Sequence, residues 1–323
     1  MAVNDSANNL VNQQARSPQV SATTSALWPL IKDYFLLTKP RVISLLLLTT
    51  WAAMFMAAPG WPGLRLFLVT GLGLFMSAGS AHVFNNVYDR DIDSRTDRTA
   101  SRAVVAGRIS VLAAMIYGFA LGIGSFIMLW YWANWLCACM AMAGLLFYVF
   151  IYTIWLKRRT WSNIVIGGAA GAFPPLVGWT AVTGHLNWLS WVLFAIIFLW
   201  TPVHFWALAI LIKDDYKENG IPMLPVVAGE HATSVQIIFY AITTATVSFL
   251  PLAFREGNYL AAGWFYGIAA IVLNSLLMVR CIQLYKQPDR SHASKLFHQS
   301  MIYLALLFVA LAVDRSFVFF RFM

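Results

Sequence analysis

The side chains that could perform chemistry cluster at 85–98, in the segment NNVYDRDIDSRTDR. This segment follows a long apolar run in a chain that has only 13 Asp and Glu residues. If it is helical, Asn85, Asp89 and Asp93 recur at every fourth position and lie on one face. Oxygen ligands of this kind suit Mg²⁺, which keeps some of its waters and also binds substrate phosphates. Together with Asn86, the segment predicts a site for a metal-bound diphosphate.

A second polar cluster, KDDYKEN at 213–219, follows another apolar run. In a helix, Asp214 and Asp215 would each have a polar side chain one turn later. The cluster could therefore hold a second Mg²⁺ or direct Lys213 towards the diphosphate.

Basic residues flank both clusters and could neutralise a leaving diphosphate, although each could also simply mark the cytoplasmic side of a membrane. An allylic cation formed from such a donor must be shielded from water and can be stabilised by aromatic faces. The aromatic candidates, which could equally pack or anchor at the interface, are Phe84, Tyr88, Tyr148, Tyr152 and Trp206. The diphosphate-binding candidates are Lys39, Arg41, Arg98, Arg102, Lys157, Arg158, Arg159 and Lys213.

The composition is that of an integral membrane protein. Hydrophobic residues make up 60% of the 323 residues and charged residues 11%, and the mean hydropathy is +0.69. A helix needs about 17 to 25 apolar residues to cross the hydrocarbon core. We therefore expect an all-α bundle of nine transmembrane helices, at 41–58, 65–87, 110–130, 134–155, 162–182, 188–212, 232–253, 260–281 and 296–314.

Glycines and prolines at 167–178 predict a break in the fifth span and close helix approach there. The Lys and Arg residues orient the bundle, because cytoplasmic loops collect them. All but four of the 22 fall on the side of the N-terminus; the exceptions are Arg65, Arg255, Arg315 and Arg321. The N-terminus and both polar clusters are therefore predicted to face the cytoplasm, and the C-terminus the opposite side.

Residues 1–25 are polar and match neither a secretory signal nor an Arg-rich transit peptide. We expect a disordered cytoplasmic tail there, followed by a single domain over 26–323. The net charge of +9 lies in short loops, which argues against a nucleic-acid-binding surface. Cys137, Cys139 and Cys281 form no CxxC pair and are interpreted as packing residues.

The motifs together resemble the UbiA superfamily of intramembrane prenyltransferases and, within it, the protoheme IX farnesyltransferases. The resemblance covers the chain after about residue 30. It is carried by NNxxDxxxD at 85–93, TKPRV at 38–42, DRT at 97–99, YTIWLKRRTWSNIVIGGAAGAFPPLVGW at 152–179, HFWALAILIKDDYKENGIPMLPVV at 204–227, GEHATSVQI at 229–237 and SMIYLALLFVALAVD at 300–314.

The resemblance implies farnesyl diphosphate as donor, haem B as acceptor, haem O as product and Mg²⁺ as cofactor. It also implies a bacterial inner membrane and delivery of the product to a haem A synthase or a terminal oxidase assembly. The implied catalytic residues are Asn85, Asn86, Asp89, Asp93 and Asp215, and the implied metal ligands are Asn86, Asp89, Asp93, Asp214 and Asp215.

The haem-binding residues implied by the resemblance are His204, Trp206 and Tyr216. His204 could be an axial ligand or could pack within the bundle, and these alternatives stay open at this point. His82, one helical turn before Asn86, is a second candidate ligand.

Three other functions are compatible with parts of the pattern. A quinone-precursor or other aromatic prenyltransferase would use the same donor site. An ion-conducting transport protein would also carry acids near its spans, but they would be expected near mid-membrane rather than at span ends beside bases. A purely structural subunit of an oxidase assembly would leave the acidic clusters without a role.

Overall fold

The computed structural model describes residues 23–58, 60–253, 255–256 and 259–320. In these ranges the regular secondary structure is helical apart from one short antiparallel pair, β1 (Arg255–Glu256) with β2 (Tyr259–Leu260). The helices are α1 (Thr23–Leu37), α2 (Pro40–Ala57), α3 (Leu64–Tyr88), α4 (Arg90–Asp93), α5 (Asp97–Ala100), α6 (Val111–Trp132), α7 (Trp135–Leu146) continued by a π-helix (Phe147–Leu156), α8 (Asn163–Gly167), α9 (Ala169–Thr183), α10 (Trp188–Leu211), α11 (Lys213–Glu218), α12 (Leu224–Val227), α13 (Gly229–Ser248), α14 (Leu250–Ala253), α15 (Trp264–Lys286) and α16 (Arg290–Phe320).

Nine helical segments in the described ranges are long and apolar enough to cross a membrane, which confirms the predicted number. Their bounds agree with the sequence prediction to within a few residues. The largest differences are in the last two spans, Trp264–Lys286 and Arg290–Ser316. There the helices continue past the apolar stretch into the polar connection between them, because a helix does not stop where its hydrophobicity stops.

The spans form a closed ring. Each span contacts the next one along the chain, and α16 returns to pack against α2. The fifth span (α8 and α9) and the sixth (α10) are the most deeply enclosed of these nine, with 67% of an 18-residue apolar stretch buried in each. Besides its neighbours along the chain, the fifth span packs against α2 through α9.

The predicted break in the fifth span is confirmed at Gly168, where α8 ends and α9 begins. Close approach is also confirmed, at Gly178. A Cβ atom placed there would lie 2.1 Å from the backbone oxygen of Thr50 on α2. Only glycine allows α9 and α2 to approach this closely.

Helix α1 precedes the first span and carries apolar side chains that the bundle leaves exposed, among them Trp28 and Ile31. Its other side packs through Tyr34, whose ring meets that of Tyr117 edge to face at 5.0 Å. A helix with this pattern at the end of a transmembrane bundle is typical of one lying in the membrane interface. Of the predicted tail, residues 1–22 lie outside the described residues, and α1 begins at Thr23.

Candidate active site

The first acidic motif lies where α3 meets α4. The sequence analysis treats Asn85, Asp89 and Asp93 as one helical face, whereas α3 ends at Tyr88 and Asp89 (φ −88°, ψ 7°) separates it from α4. Asp is a weak helix former, so a break at this position costs little. Backbone hydrogen bonds still join the three residues. The Asp89 N–H donates to the backbone oxygen of Asn85 (2.9 Å), and the Asp93 N–H donates to the backbone oxygen of Asp89 (2.8 Å). The predicted grouping therefore survives without a continuous helix.

All four polar side chains of the motif are buried: Asn85, Asn86, Asp89 and Asp93. Buried carboxylates require partners, and each carboxylate has a cation from another element. Lys157, just after the π-helix, donates to Asp89 Oδ2, and Arg102 donates to Asp93 Oδ2.

Lys39 is the third cation of the cluster. It has left-handed backbone angles (φ 55°, ψ 59°) immediately before Pro40 begins α2, and its ammonium donates to Asn85 Oδ1 at 3.0 Å. Burial lowers the pKa of Lys39 to about 7, and the nearby positive charges of Arg102 and Lys157 act in the same direction. The predicted residues Lys39, Arg102 and Lys157 are therefore brought together around the motif.

Arg158 has a different environment. It donates two hydrogen bonds to Asp91, at 2.7 and 2.8 Å, and one to the backbone oxygen of Tyr88, with its guanidinium over the Tyr88 ring. The hydrogen bond from Arg158 holds the pKa of Asp91 below its ordinary value. Arg158 NH2 also lies 3.6 Å from Asp89 Oδ1. Arg158 thus fixes the turn that carries Asp89.

Two predicted diphosphate-binding residues do not join this cluster. Arg41 and Arg159 are exposed and form no ion pair within the described ranges. Each lies two residues after a member of the cluster, Lys39 or Lys157. Their side chains point to the surface, and their proposed role stays a prediction.

The second acidic cluster forms α11 and the residue after it, and one side of it meets the first motif. Arg98, which follows the first motif, lies with its Nε 3.6 Å from Asp215, and Asn219 donates to the Thr96 hydroxyl at 2.9 Å. The structure thus brings Asp215 and Asn219 towards Asp93 along one connecting segment.

Two other charged residues of this cluster, Lys213 and Asp214, have partners outside the first motif. Asp214 is exposed and pairs with Arg290 at 2.5 Å, and Lys213 pairs with Glu230 at 3.1 Å. Their predicted roles as metal ligand and diphosphate ligand therefore have no support from the geometry.

Aromatic residues cover the inner side of the first motif. The π-helix places Tyr148 and Tyr152 with ring centroids 5.2 Å apart, and Tyr148 meets the His82 ring edge to face at 5.3 Å. A wide turn of this kind is often found at functional sites. The Tyr152 ring lies against Gly167, where a Cβ atom would be 2.4 Å from the Tyr152 ring. Tyr216 of α11 is enclosed near Tyr152, and burial raises the pKa of Tyr216.

Two of the predicted haem-binding residues, His204 and Trp206, lie on α10, away from Tyr216 of α11. The His204 ring stacks between Trp200 and Phe297, each with centroids 4.6 Å away, and His204 Nδ1 lies 2.8 Å from the Ser300 hydroxyl. Trp206, on another side of α10, packs against Tyr240 of α13. Of the two alternatives for His204, this geometry supports packing against α16.

Two oxygen atoms of the first motif are suited to a cation. Asn86 Oδ1 and Asp89 Oδ1 are buried and accept no hydrogen bond, although buried acceptors normally find a donor. Within the described residues no group of three or more His, Cys, Asp and Glu side chains is arranged for a metal ion. Mg²⁺ does not require such a group, because it binds through one or two carboxylates together with water and substrate phosphates.

The UbiA prenyltransferase family matches residues 46–311 of the chain. The chain belongs to this family. A Thermus thermophilus protein named protoheme IX farnesyltransferase is 54% identical over 294 residues, which are 91% of this chain and 47% of that protein. The chain thus spans about half the length of that relative. A Deinococcus radiodurans protein of the same name is 53% identical over 312 residues, covering 93% of this chain and 97% of that protein.

Solved structures of other proteins have the same fold. A structure of digeranylgeranylglyceryl phosphate synthase in membranes superposes with a TM-score of 0.73 at 19% identity, covering 88% of this chain and 98% of that chain. A UbiA homolog from Archaeoglobus fulgidus bound to DMAPP and Mg²⁺ gives 0.63 at 17% identity, covering 87% and 99%. The protein is a multi-pass membrane protein of UbiA fold.

Some residues of this UbiA site were not singled out from the sequence. Thr153 accepts a hydrogen bond from Asn85 Nδ2 at 3.3 Å, and Thr96 joins the two acidic clusters through Asn219. Thr153 lies four positions before Lys157, so helical spacing could have indicated a shared face. The pairing of Thr96 with Asn219 spans 123 positions, and no local pattern contains it.

Proposed function

We propose that this enzyme transfers a farnesyl group from farnesyl diphosphate to a vinyl group of haem B and so produces haem O. The observation that carries the proposal is the burial of Asp89 and Asp93 beside Lys39, Arg102 and Lys157 at one end of an apolar ring of helices. Such a site can hold a highly charged diphosphate next to a water-poor cavity. The identity of donor and acceptor is supported by the names of relatives that share about half of its residues.

Mg²⁺ is the proposed metal, and Asn86, Asp89 and Asp93 are its proposed ligands, with Asp215 nearby. Their oxygen-only chemistry fits a hard cation, as do the two buried oxygens that accept no hydrogen bond. The Mg²⁺ bound by the Archaeoglobus fulgidus homolog supports the assignment. When bound, Mg²⁺ offsets the negative charge that develops on the leaving diphosphate.

The cations of the cluster would hold the diphosphate. Lys39, Arg102 and Lys157 are paired with Asn85, Asp93 and Asp89, and phosphate oxygens offer them more charge than those partners do. These ion pairs and hydrogen bonds already orient the three cations before substrate binds, so little further side-chain ordering is needed. This preorganisation lowers the barrier to breaking the C1–O bond, whose electron pair leaves with the diphosphate.

The remaining steps take place on the apolar side of the cluster. The vinyl π electrons of haem B form the new bond to farnesyl C1, and a water molecule captures the resulting cation and loses a proton. The faces of Tyr148 and Tyr152 lie beside the motif and can stabilise positive charge there. The apolar helices keep bulk water away until the carbon–carbon bond has formed.

The proposed setting follows from the distribution of basic residues. Lys and Arg gather at the end of the bundle that holds the site, which supports a cytoplasmic active site in a bacterial inner membrane. We propose that the product then passes to a haem A synthase or a terminal oxidase assembly.

Conversion of haem B tests the proposal directly. Purified protein in detergent receives Mg²⁺, farnesyl diphosphate and haem B, and the haems are separated by chromatography and identified by mass. We expect a heavier, more hydrophobic haem carrying one farnesyl group and one added water, and no product after the metal is chelated. Asp97→Asn is a matched control for Asp89→Asn, because Asp97 lies in the same segment, 85–98, and its side chain is exposed. Folded protein that prenylates an aromatic acid but not haem B would show that the acceptor is wrong.

A further inference from the structure

A cavity of about 240 Å³ lies between α1 and the segment that follows α5. Its inner wall includes Lys39, Asn86 and Arg102, which belong to the proposed diphosphate site. Its outer wall includes Asp33 of α1 and Arg108. The cavity therefore connects the buried polar cluster with the surface at the polar end of the bundle.

The outer end of this cavity is held by one ion pair. Arg108 donates to both carboxylate oxygens of Asp33, at 2.7 and 3.0 Å, and to the backbone oxygen of Ser101 at 3.1 Å. The side chain of Arg108 is 48% exposed and that of Asp33 16%. This pair, called here the α1 latch, ties α1 to the loop that carries Arg102.

The charge of the cavity suits a polyanion. Its lining contains three cations, Lys39, Arg102 and Arg108, and a single carboxylate, Asp33. The cations follow one another from the buried cluster to the surface. An anion moving outwards would meet Arg108 last, where a phosphate with more than one negative charge competes with Asp33 for the guanidinium.

The two products of the proposed reaction require different routes. A farnesylated haem is lipophilic and can leave sideways into the bilayer. Inorganic diphosphate carries several negative charges, and moving such charges through hydrocarbon is prohibitively expensive. It must leave through a polar opening to water, and this cavity is one that shares its wall with the site.

Helix α1 has few contacts that would prevent a small displacement. Its apolar face, with Trp28 72% and Ile31 57% exposed, meets lipid rather than the bundle. Besides the α1 latch, its middle is held by ring contacts of Tyr34 with Tyr117 and of Phe35 with Phe75. Its C-terminal end is anchored by Leu37, which is buried and whose backbone oxygen accepts a hydrogen bond from Asn86 at 3.0 Å, so the rest of α1 can move about that end. A small displacement within the membrane interface would open the cavity without unpacking a transmembrane span.

We propose that inorganic diphosphate leaves the active site through this cavity, and that the α1 latch between Asp33 and Arg108 opens to release it. The inference rests on the proposed function, because that reaction supplies the diphosphate. It assigns to α1 and Arg108 a role in product release and none in breaking or forming the bonds of the reaction.

Cross-linking the α1 latch tests the proposal. Asp33 and Arg108 are both replaced by cysteine in a Cys139→Ser background, because Cys139 is the native thiol that is not buried. A reducible bifunctional thiol reagent then ties α1 to the loop. Prenylated haem is measured by rapid quench, and diphosphate by pyrophosphatase with a phosphate sensor.

We expect the cross-linked protein to complete its first turnover within about twofold of the uncross-linked sample and then to slow by about tenfold or more, because the cross-link prevents the movement of α1 that releases diphosphate. Reductant should restore repeated turnover. Asp33→Asn, which weakens the α1 latch but keeps the cation, should release diphosphate at least as fast as the native chain. A cysteine pair at Asp289 and His292, which form an exposed ion pair, is the matched control. Cross-linking this pair should leave repeated turnover unchanged.

Two results would overturn the proposal. Repeated turnover at full rate with α1 cross-linked would show that diphosphate leaves elsewhere. Loss of the first turnover would show that the cavity admits substrate or shapes the site. Absence of prenyl transfer in the native chain would instead contradict the proposed function, so the two failures are distinguishable.

Discussion

Lys157 and Asp89 form a buried ion pair that joins the end of the fourth span to the end of the second. Asp89 is 1% exposed, and its Oδ2 also accepts a hydrogen bond from Asn85 Nδ2 at 2.7 Å. The pair stabilises a charged carboxylate at the end of an apolar bundle before metal and substrate bind. It also couples the two halves of the proposed diphosphate site, so changes on either side should affect the other.

Asp89→Asn is therefore expected to reduce kcat/KM for prenyl transfer by about 10² or more, the effect typical of losing one preorganised electrostatic group. Lys157→Met should have a similar effect, because it removes a proposed diphosphate ligand and leaves Asp89 with only the more distant Arg158, 3.6 Å away. The double variant should be less impaired than the product of the two single effects, since the two residues act as a unit. Strictly multiplicative losses would show that the pair is not coupled.

Much of the fold was predictable from the sequence because the bilayer imposes simple rules. Span length and the absence of charge located all nine segments, and the glycines and prolines at 167–178 indicated the break that the structure has at Gly168. The acidic motif was also found, because charge at the end of an apolar run is rare. These features are local, and local patterns are what a single sequence contains.

The partners within the site were not predictable in the same way. Lys157, Arg158 and Arg159 are adjacent in sequence, but Lys157 meets Asp89, Arg158 meets mainly Asp91, and Arg159 faces the surface. The π-helix that precedes these three cations determines which of them enters the site. No residue pattern in the sequence predicted that π-helix. Pairings of this kind depend on tertiary packing.

Gly178→Ala tests the close packing of α9 on α2. The new methyl group would meet the backbone oxygen of Thr50 at 2.1 Å, and backbone cannot move aside as a flexible side chain can. We expect a loss of roughly 1 to 3 kcal/mol in stability, as for other overpacked sites, seen as a lower Tm in detergent. Gly171→Ala in the same helix is the control, because nothing lies within 4 Å of its added Cβ. Equal Tm values for the two variants would contradict the packing.

The docking of α1 should depend on pH. The hydrogen bond from Arg108 lowers the pKa of Asp33 below its ordinary value of 3.8, with smaller help from the charges of Arg108 and Lys32. The ion pair therefore stabilises docking above that ordinary value, and its contribution is lost as the pH falls through the lower pKa of the docked state. A spin label at Leu30 should gain mobility in this acid range. Asp33→Asn should be mobile already at pH 7 and show no further step.

His204 should act through packing rather than as a ligand of haem iron. Its ring stacks with Trp200 and Phe297, and its Nδ1 is occupied by Ser300. His204→Phe keeps the stacking, so we expect a Tm close to that of the native chain and an unchanged absorption spectrum of added haem B. His204→Ala removes the ring and should lower the Tm, by analogy with aromatic truncations that cost about 3 to 5 kcal/mol in soluble cores. A changed haem spectrum in well-folded His204→Phe would instead identify His204 as an axial ligand and move the acceptor site to the interface of α10 with α16.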